Sequence, residues 1–340
     1  MRRLTLLPTL ALFSLAVSAL SHAQTPAVPQ TMRAAAFDRG GGPEVLSIHT
    51  LPVPTPGAGE VLIAVHASGV AVWELGSRAH PNPRMPFPAV LGGDGSGTIV
   101  ALGPDVHGFK VGDQVYGTAN GFYAEYVKAS ADRIAHVPKG ISLTEASVLA
   151  ISGLSALQGI DDVLHLKRGE TLIIHGASGA VGTLAIQLAK MRGAKVLATA
   201  TSDEGLALAT KLGADAVVNG KTGDIAAAAH QFAPEGVDAV LGLAGGDALE
   251  HCIDALRRDG HGQAAYLYGV EPLPRPRGNI SMTLYNFIAG SHELERLNKA
   301  VEKAKLRVPV GAEYPLADAA EAHKRLAAGG VLGKIALLAR

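Results

Sequence analysis

The sequence predicts an α/β protein of two lobes, with a doubly wound parallel sheet inserted into a β-rich lobe. Three observations carry that expectation. Short, glycine- and proline-punctuated strands fill Met32 to about Lys139, apolar strands alternate with alanine-rich helical stretches from Ser142 onward, and the chain closes on one more apolar strand, KIALLAR. A chain of 340 residues suits two domains. The composition, 48% hydrophobic and 18% charged, supports a packed core and argues against disorder.

The first stretch reads differently from the rest. Arg2 and Arg3 precede an apolar run from Leu4 to Leu20, and Ser21-His22-Ala23 offers small residues for cleavage, which is a signal-peptide pattern over residues 1–23. The run is short and contains Pro8, so removal after about Ala23 is expected rather than a stable membrane anchor. That places the mature protein in the periplasm or secreted. A start of translation at Met32 would instead leave it cytoplasmic.

From Met32 the segments MRAAAF, EVLIAVHASGV, GDGSGTIVALG and GDQVYG are strand-like and bounded by turn residues such as Gly92, Gly93, Gly103, Pro104, Gly112 and Asp113. They suggest a barrel-like lobe. After Ser142 come TLIIHG, a helix through TLAIQLAKMRG, the strand Lys195 to Ala200, a helix through ALATKLG and the strand AVVN. A strand at Val237 to Ala244, a helix at DALEHCIDALRR and a strand at QAAYLYG continue the series, which predicts a parallel sheet. Beyond a Pro/Arg loop, helices are expected from about Glu293 to Lys305 and near Ala317 to Ala328, with the closing elements rejoining the first lobe.

Charge and cysteine content narrow the functions. Thirty basic and thirty acidic side chains give no net field to gather nucleic acid. The single cysteine, Cys252, excludes an internal disulfide and any multi-thiolate zinc site, and HCIDAL reads as a buried helical thiol. The thirteen histidines show no metal spacing, and His175, His251 and His323 are expected to have local roles.

The most informative motif is HGASGAVG, His175 to Gly182, which follows an apolar strand and opens a helix. In that context backbone amides and the helix dipole face an anion, as a dinucleotide pyrophosphate requires. In the Gly-x-Gly-x-x-Gly frame Ala177 takes the first position, Gly179 the second and Gly182 the third, with Ser178, Ala180 and Val181 between them. The next strand ends at Thr199-Ala200-Thr201-Ser202 with no acid at its tip to grip ribose hydroxyls. Thr201 and Ser202 leave room for a 2′-phosphate, so the expected cofactor is NADPH, although Asp203 and Glu204 stand just beyond.

With these motifs in place the chain resembles the zinc-free quinone oxidoreductase branch of the medium-chain dehydrogenase/reductase superfamily, from Met32 to Arg340. The landmarks are GGPEVL, PGAGEVLIAVHASGV, LGGDGSGTIVALG, FKVGDQVYG, GFYAEYV, SGLSAL, HGASGAVG, LGAD and GKIALL. The resemblance implies a GroES-like catalytic domain over 32–155, completed by 288–340, and a Rossmann NADP-binding domain over 156–287. It implies hydride transfer from NADPH to a small quinone, enone or related activated carbonyl compound, and a homodimer. Zinc-dependent relatives place a cysteine near Ala71 and a His-Glu pair at Gly93-Asp94; without those ligands no metal is expected.

Where the branch often has Val-Asn-Pro-x-Asp, this chain has Val70-Ala71-Val72-Trp73-Glu74, so Glu74 either keeps the carboxylate role or packs. Tyr123 is the other candidate proton donor, again with packing as the alternative. Ser155 matches a family threonine near the nicotinamide, and Gly245 and Gly269 stand at later strand tips where backbone groups can meet the cofactor. A lysine common near Gly205 in relatives is absent. Two other functions are consistent with these residues: an alcohol or aldehyde dehydrogenase, and a non-catalytic NADPH-binding redox sensor or structural protein.

Overall fold

The computed structural model describes residues 28–339. The expected signal segment, 1–23, lies outside them. In the first lobe β1 (Thr31–Phe37), β2 (Ser47–Pro52), β3 (Glu60–Val70), α1 (Val72–Ala79), β4 (Ala89–Val90), β5 (Asp94–Leu102), β6 (Gln114–Thr118), β7 (Tyr126–Ser130) and β8 (Ile134–His136) follow one another. The 11-residue β3 is central: it pairs antiparallel with β5 along one edge and divides its other edge between β7 and a strand from the far end of the chain. Register shifts at Leu62/Ile63 and Val65/Ala67 bend it, which lets one strand serve a curved sheet.

Helices α2 (Leu143–Ser147) and α3 (Ala150–Gln158) lead out of this lobe, and every residue of α3 is buried. Ser142 caps α2, accepting the Glu145 amide while the Glu145 carboxylate accepts the Ser142 amide. The second lobe is β9 (Thr171–His175), α4 (Ala180–Arg192), β10 (Lys195–Ala200), α5 (Asp203–Lys211), β11 (Ala216–Asn219), α6 (Ile225–Phe232), β12 (Ala239–Gly242), α7 (Asp247–Asp254), β13 (Gln263–Leu267) and β14 (Ser281–Tyr285). Its strand order is β11-β10-β9-β12-β13-β14, all parallel, so the order reverses between β9 and β12. Loops at the carboxyl ends of those two strands are where a doubly wound sheet binds ligands.

The chain then returns through α8 (Ser291–Ala304), β15 (Val310–Pro315), α9 (Ala319–Ala327) and β16 (Lys334–Leu338). Strand β16 pairs with Ala67–Val70 of β3, so the parallel sheet is inserted within the first lobe, as the closing strand predicts. Helix α8 buries Leu294, Leu297 and Val301 against the larger core, and Asn298 accepts the Tyr116 hydroxyl at 2.7 Å, tying the returning segment to β6. Cys252 is buried in α7, and burial pushes its thiol up to about 12. Among the described residues no helix is long and apolar enough to cross a membrane.

Candidate functional site

The phosphate turn forms where β9 meets α4. Gly176 adopts φ +81°, a conformation that glycine reaches without strain, so the chain turns there, one residue before the frame's first position at Ala177. Ala177 is instead buried, its amide donating to the Thr199 carbonyl at 2.9 Å. Gly182 lies against the turn: a Cβ there would sit 2.6 Å from Ala177 Cα. At Gly179 a Cβ would meet only the Gly176 carbonyl, at 3.5 Å, so its outer side is open.

Gly179 is the N-cap of α4 and supplies no side chain to the helix, and no acid stands in the first turn. The amides of Ala180, Val181 and Gly182 precede the first intrahelical bond, from Thr183 to the Gly179 carbonyl, so the positive end of a 13-residue helix faces outward. The first lobe reaches this point too, because the Gly333 amide donates to the Ser178 carbonyl at 2.8 Å. Gly205 also presses on the turn, where a Cβ would lie 3.1 Å from Ser178 Cβ. At the β10 tip Thr201 is exposed, and Ser202 caps α5 by accepting the Gly205 amide at 3.1 Å. Asp203 and Glu204 occupy the exposed first turn of α5.

The later strand tips are less uniform. Gly269 has φ +94° and open space around it. Gly245 packs tightly instead: a Cβ there would come within 2.5 Å of the Glu271 backbone, so this glycine serves an approach between two loops.

Ser155 is fully enclosed in α3, and its hydroxyl has no hydrogen-bond partner among the described residues. A buried hydroxyl without a partner is costly, and Thr118 carries another among the described residues. Ile151 lies one helical turn before it on the same face. A Cβ on Gly93 would meet Ile151 Cδ1 at 3.3 Å and Trp73 Cζ2 at 3.6 Å, and nothing else within 4 Å. Ile151 thus brings the helix that carries Ser155 up to Gly93 and Trp73.

Glu74 and Tyr123 do come together, but inward. Glu74 is buried at the third position of α1; one carboxylate oxygen accepts the Gly92 and Gly93 amides at 3.0 and 3.1 Å. The other accepts the Ala71 amide at 2.9 Å and the Tyr123 hydroxyl at 2.6 Å. His323 Nε2 lies 3.2 Å from the Tyr123 oxygen, and Arg78 Nη1 lies 3.0 Å from His323 Nδ1. Since Tyr123 gives its proton to Glu74 and a guanidinium only donates, the bonds run in one direction, from Arg78 through neutral His323 and Tyr123 to Glu74.

Burial raises the Glu74 carboxyl above its ordinary value, opposed by the Tyr123 and Ala71 bonds. Burial, then the Glu74 charge, raises the Tyr123 phenol well above its own. Of the two roles weighed for these residues, proton donor or packing, the geometry fits packing: both are sealed from solvent and satisfied by protein partners. Glu74 instead fixes Ala71, Gly92 and Gly93, the backbone that forms the floor beneath Trp73. The local role expected for His323 is corrected, since it joins α9 to residues far away in the chain.

Asp94 is buried beside Gly93, with Lys334 of β16 at 2.7 and 2.8 Å from its two oxygens. Among the described residues no group of three or more His, Cys, Asp or Glu side chains is arranged to hold a metal ion. Sequence reasoning missed Arg78, Lys334 and Thr118, the last a second buried hydroxyl without a described partner, next to the Ala119 amide that donates to the Gly93 carbonyl. Only Arg78, four residues after Glu74 on α1, carried a local signal.

Comparison with known proteins agrees with this fold. Residues 57–139 match the alcohol dehydrogenase GroES-like domain, and residues 212–337 match the domain described as zinc-binding dehydrogenase. A mouse quinone oxidoreductase is 32% identical over 323 residues, covering 90% of this chain and 98% of its own length. The chain belongs to the medium-chain dehydrogenase/reductase superfamily, in its quinone oxidoreductase branch. Quinone oxidoreductase from Escherichia coli, solved with NADPH, superposes with a TM-score of 0.80 at 26% identity, covering 91% of this chain and 99% of that one. An NAD-dependent alcohol dehydrogenase superposes with a TM-score of 0.84 at 32% identity, covering 90% and 99%.

Proposed function

We propose that the protein transfers hydride from NADPH to quinones, enones or related activated carbonyl compounds without zinc. The observation that carries the reading is the anion-ready helix terminus at Gly179, supported by the buried, unpaired Ser155 hydroxyl on α3 and by Ile151 of the same helix beside Gly93. The amides of Ala180, Val181 and Gly182 would hold the pyrophosphate, Thr201 and Ser202 the 2′-phosphate end, and Ser155 the carboxamide. When bound, the reduced nicotinamide supplies a hydride to an electron-poor substrate atom. Trp73, Val72 and Ile151 give that step apolar walls that limit water. With Tyr123 and Glu74 occupied by each other, the proton that completes reduction comes from solvent.

The zinc-free reading is supported by the donor set. Ala71 and Gly93 offer no ligand atoms, and Lys334 neutralises Asp94, which disfavours the alcohol dehydrogenase alternative. Calorimetric titration with NADPH and NADH, followed by turnover assays on quinones and α,β-unsaturated ketones, tests the function. Tighter binding of NADPH with saturable turnover is expected; cofactor binding without turnover of any of them would favour the sensor reading.

Two further parts belong to the proposal. The exposed side chains of Tyr268, Leu284 and Ile288 along and beside the edge strand β14 support a homodimer through that edge, which light scattering checks by mass. Export rests on the Arg2-to-Ala23 pattern: N-terminal sequencing of the mature chain should begin after about Ala23, and a start at Met1 or Met32 would refute it.

A further inference from the structure

We propose that Trp73 is the platform on which the substrate ring stacks, so that the site selects planar conjugated rings over small acyclic enones. The inference rests on the hydride-transfer reading above and goes beyond it by naming the shape of the substrate and the residue that reads it.

Trp73 is the second residue of α1, where an apolar side chain ordinarily turns toward a core, yet 50% of it is exposed. Val72 before it is 68% exposed. The exposure is not slack at a loose end, because the backbone below is held from both sides. The buried Glu74 carboxylate binds the amides of Ala71, Gly92 and Gly93, and Ser77 donates to the Trp73 carbonyl at 3.1 Å. The backbone that carries the indole is thus held in place, and the indole edge lies beside Gly93.

Gly93 brings no side chain to the opening, and the only atoms within 4 Å of where its Cβ would stand belong to Trp73 and Ile151. The result is a flat floor with an indole on one side and an aliphatic side chain on the other. The charges closest in the chain are already committed: Glu74 to four hydrogen bonds, and Asp94 to Lys334. A planar, uncharged π-system gains stacking on the indole there, whereas an acyclic enone covers too little of the ring to benefit. Ser155, one turn beyond Ile151, sets the nicotinamide end at the far side of this floor.

Trp73 is the single tryptophan of the chain, so its emission reports this position alone. 1,4-Naphthoquinone is titrated into the full protein saturated with NADP+, where no turnover occurs, with free N-acetyltryptophanamide as control. Saturable quenching is expected, at a midpoint matching the naphthoquinone KM; quenching that rises linearly, as for the free indole, overturns the proposal. In turnover assays Trp73→Ala should raise the naphthoquinone KM roughly 5- to 10-fold, the factor one aromatic stacking contact supplies. It should leave the KM for methyl vinyl ketone within about twofold, and Trp73→Phe should restore most of the naphthoquinone affinity. Equal losses for both substrates overturn the platform role. Calorimetric NADPH binding separates the two levels: cofactor bound but no saturable quenching refutes the platform alone, and no cofactor bound refutes the underlying reading with it.

Discussion

Replacing His323 with asparagine should change the acid stability of the protein in a way that wild type and variant reveal only when compared across pH. His323 is fully buried, with Arg78 at 3.0 Å on one ring nitrogen and the Tyr123 oxygen at 3.2 Å on the other. Burial, with the Arg78 charge adding to it, lowers its pKa from 6.5 to about 4. Because the folded value lies below the unfolded one, protonation favours the unfolded chain. The stabilising contribution is complete above about pH 6.5 and is lost as pH falls toward 4. At about 1.4 kcal/mol per pH unit, a displacement of about 2.5 units corresponds to about 3 kcal/mol across that window.

Asparagine can still accept from Arg78 but cannot reach Tyr123, so the variant should be less stable by about 2 kcal/mol at pH 7, the cost of a buried hydrogen bond and a small void. It has no group to titrate there, so the wild-type advantage of about 2 kcal/mol should vanish near pH 5 and reverse by about 1 kcal/mol at pH 4. Urea unfolding of both proteins at half-unit pH steps measures this, and other titrating groups cancel in the difference. A separation that stays constant from pH 7 to 4 would refute the neutral, one-directional chain from Arg78 to Glu74.

Gly179→Val should fold with a melting temperature near wild type, since a Cβ there meets only the Gly176 carbonyl at 3.5 Å, yet lose NADPH affinity by about 100-fold or more; retained affinity in calorimetry would mean the phosphate turn is misplaced. Ser155→Ala removes a hydroxyl with no described partner, so stability should hold or rise slightly while the NADPH KM increases about 2- to 10-fold; a marked stability loss with unchanged KM would show that the hydroxyl serves the fold. Lys334→Met strands the buried Asp94 carboxylate and should cost about 3–5 kcal/mol in denaturant unfolding, with Asp94→Asn in the same background recovering part of it. A cost below about 1 kcal/mol would mean that Asp94 finds water or another partner.

The parallel sheet was legible because its signals are local. Each strand from β9 to β13 is a short apolar run, and the Lys195–Ala200 strand falls where the sequence places it. Strand β14 was missed because no helix separates it from β13 and its five residues, SMTLY, are mostly exposed. Helix α1 was missed because its eight residues sit among strands and are capped by backbone contacts from Glu74, with no serine or aspartate to announce a start.

The same division holds in the site. HGASGAVG is contiguous, so its geometry could be anticipated, with the chain turning at Gly176 and Ala177 buried behind it. Glu74 and Tyr123 could be picked out as chemistry-bearing residues, but their directions could not, because the partners that turn them inward are Gly92, Gly93 and His323, at separations of up to 200 residues. Asp94 and Lys334, 240 residues apart, meet only because β16 returns to β3.

The most direct measurement is consumption of NADPH by the purified protein with 1,4-naphthoquinone, run with and without a strong zinc chelator. Saturable consumption that the chelator leaves unchanged is predicted. NADPH binding with no consumption, or activity that the chelator abolishes and zinc restores, would contradict the account.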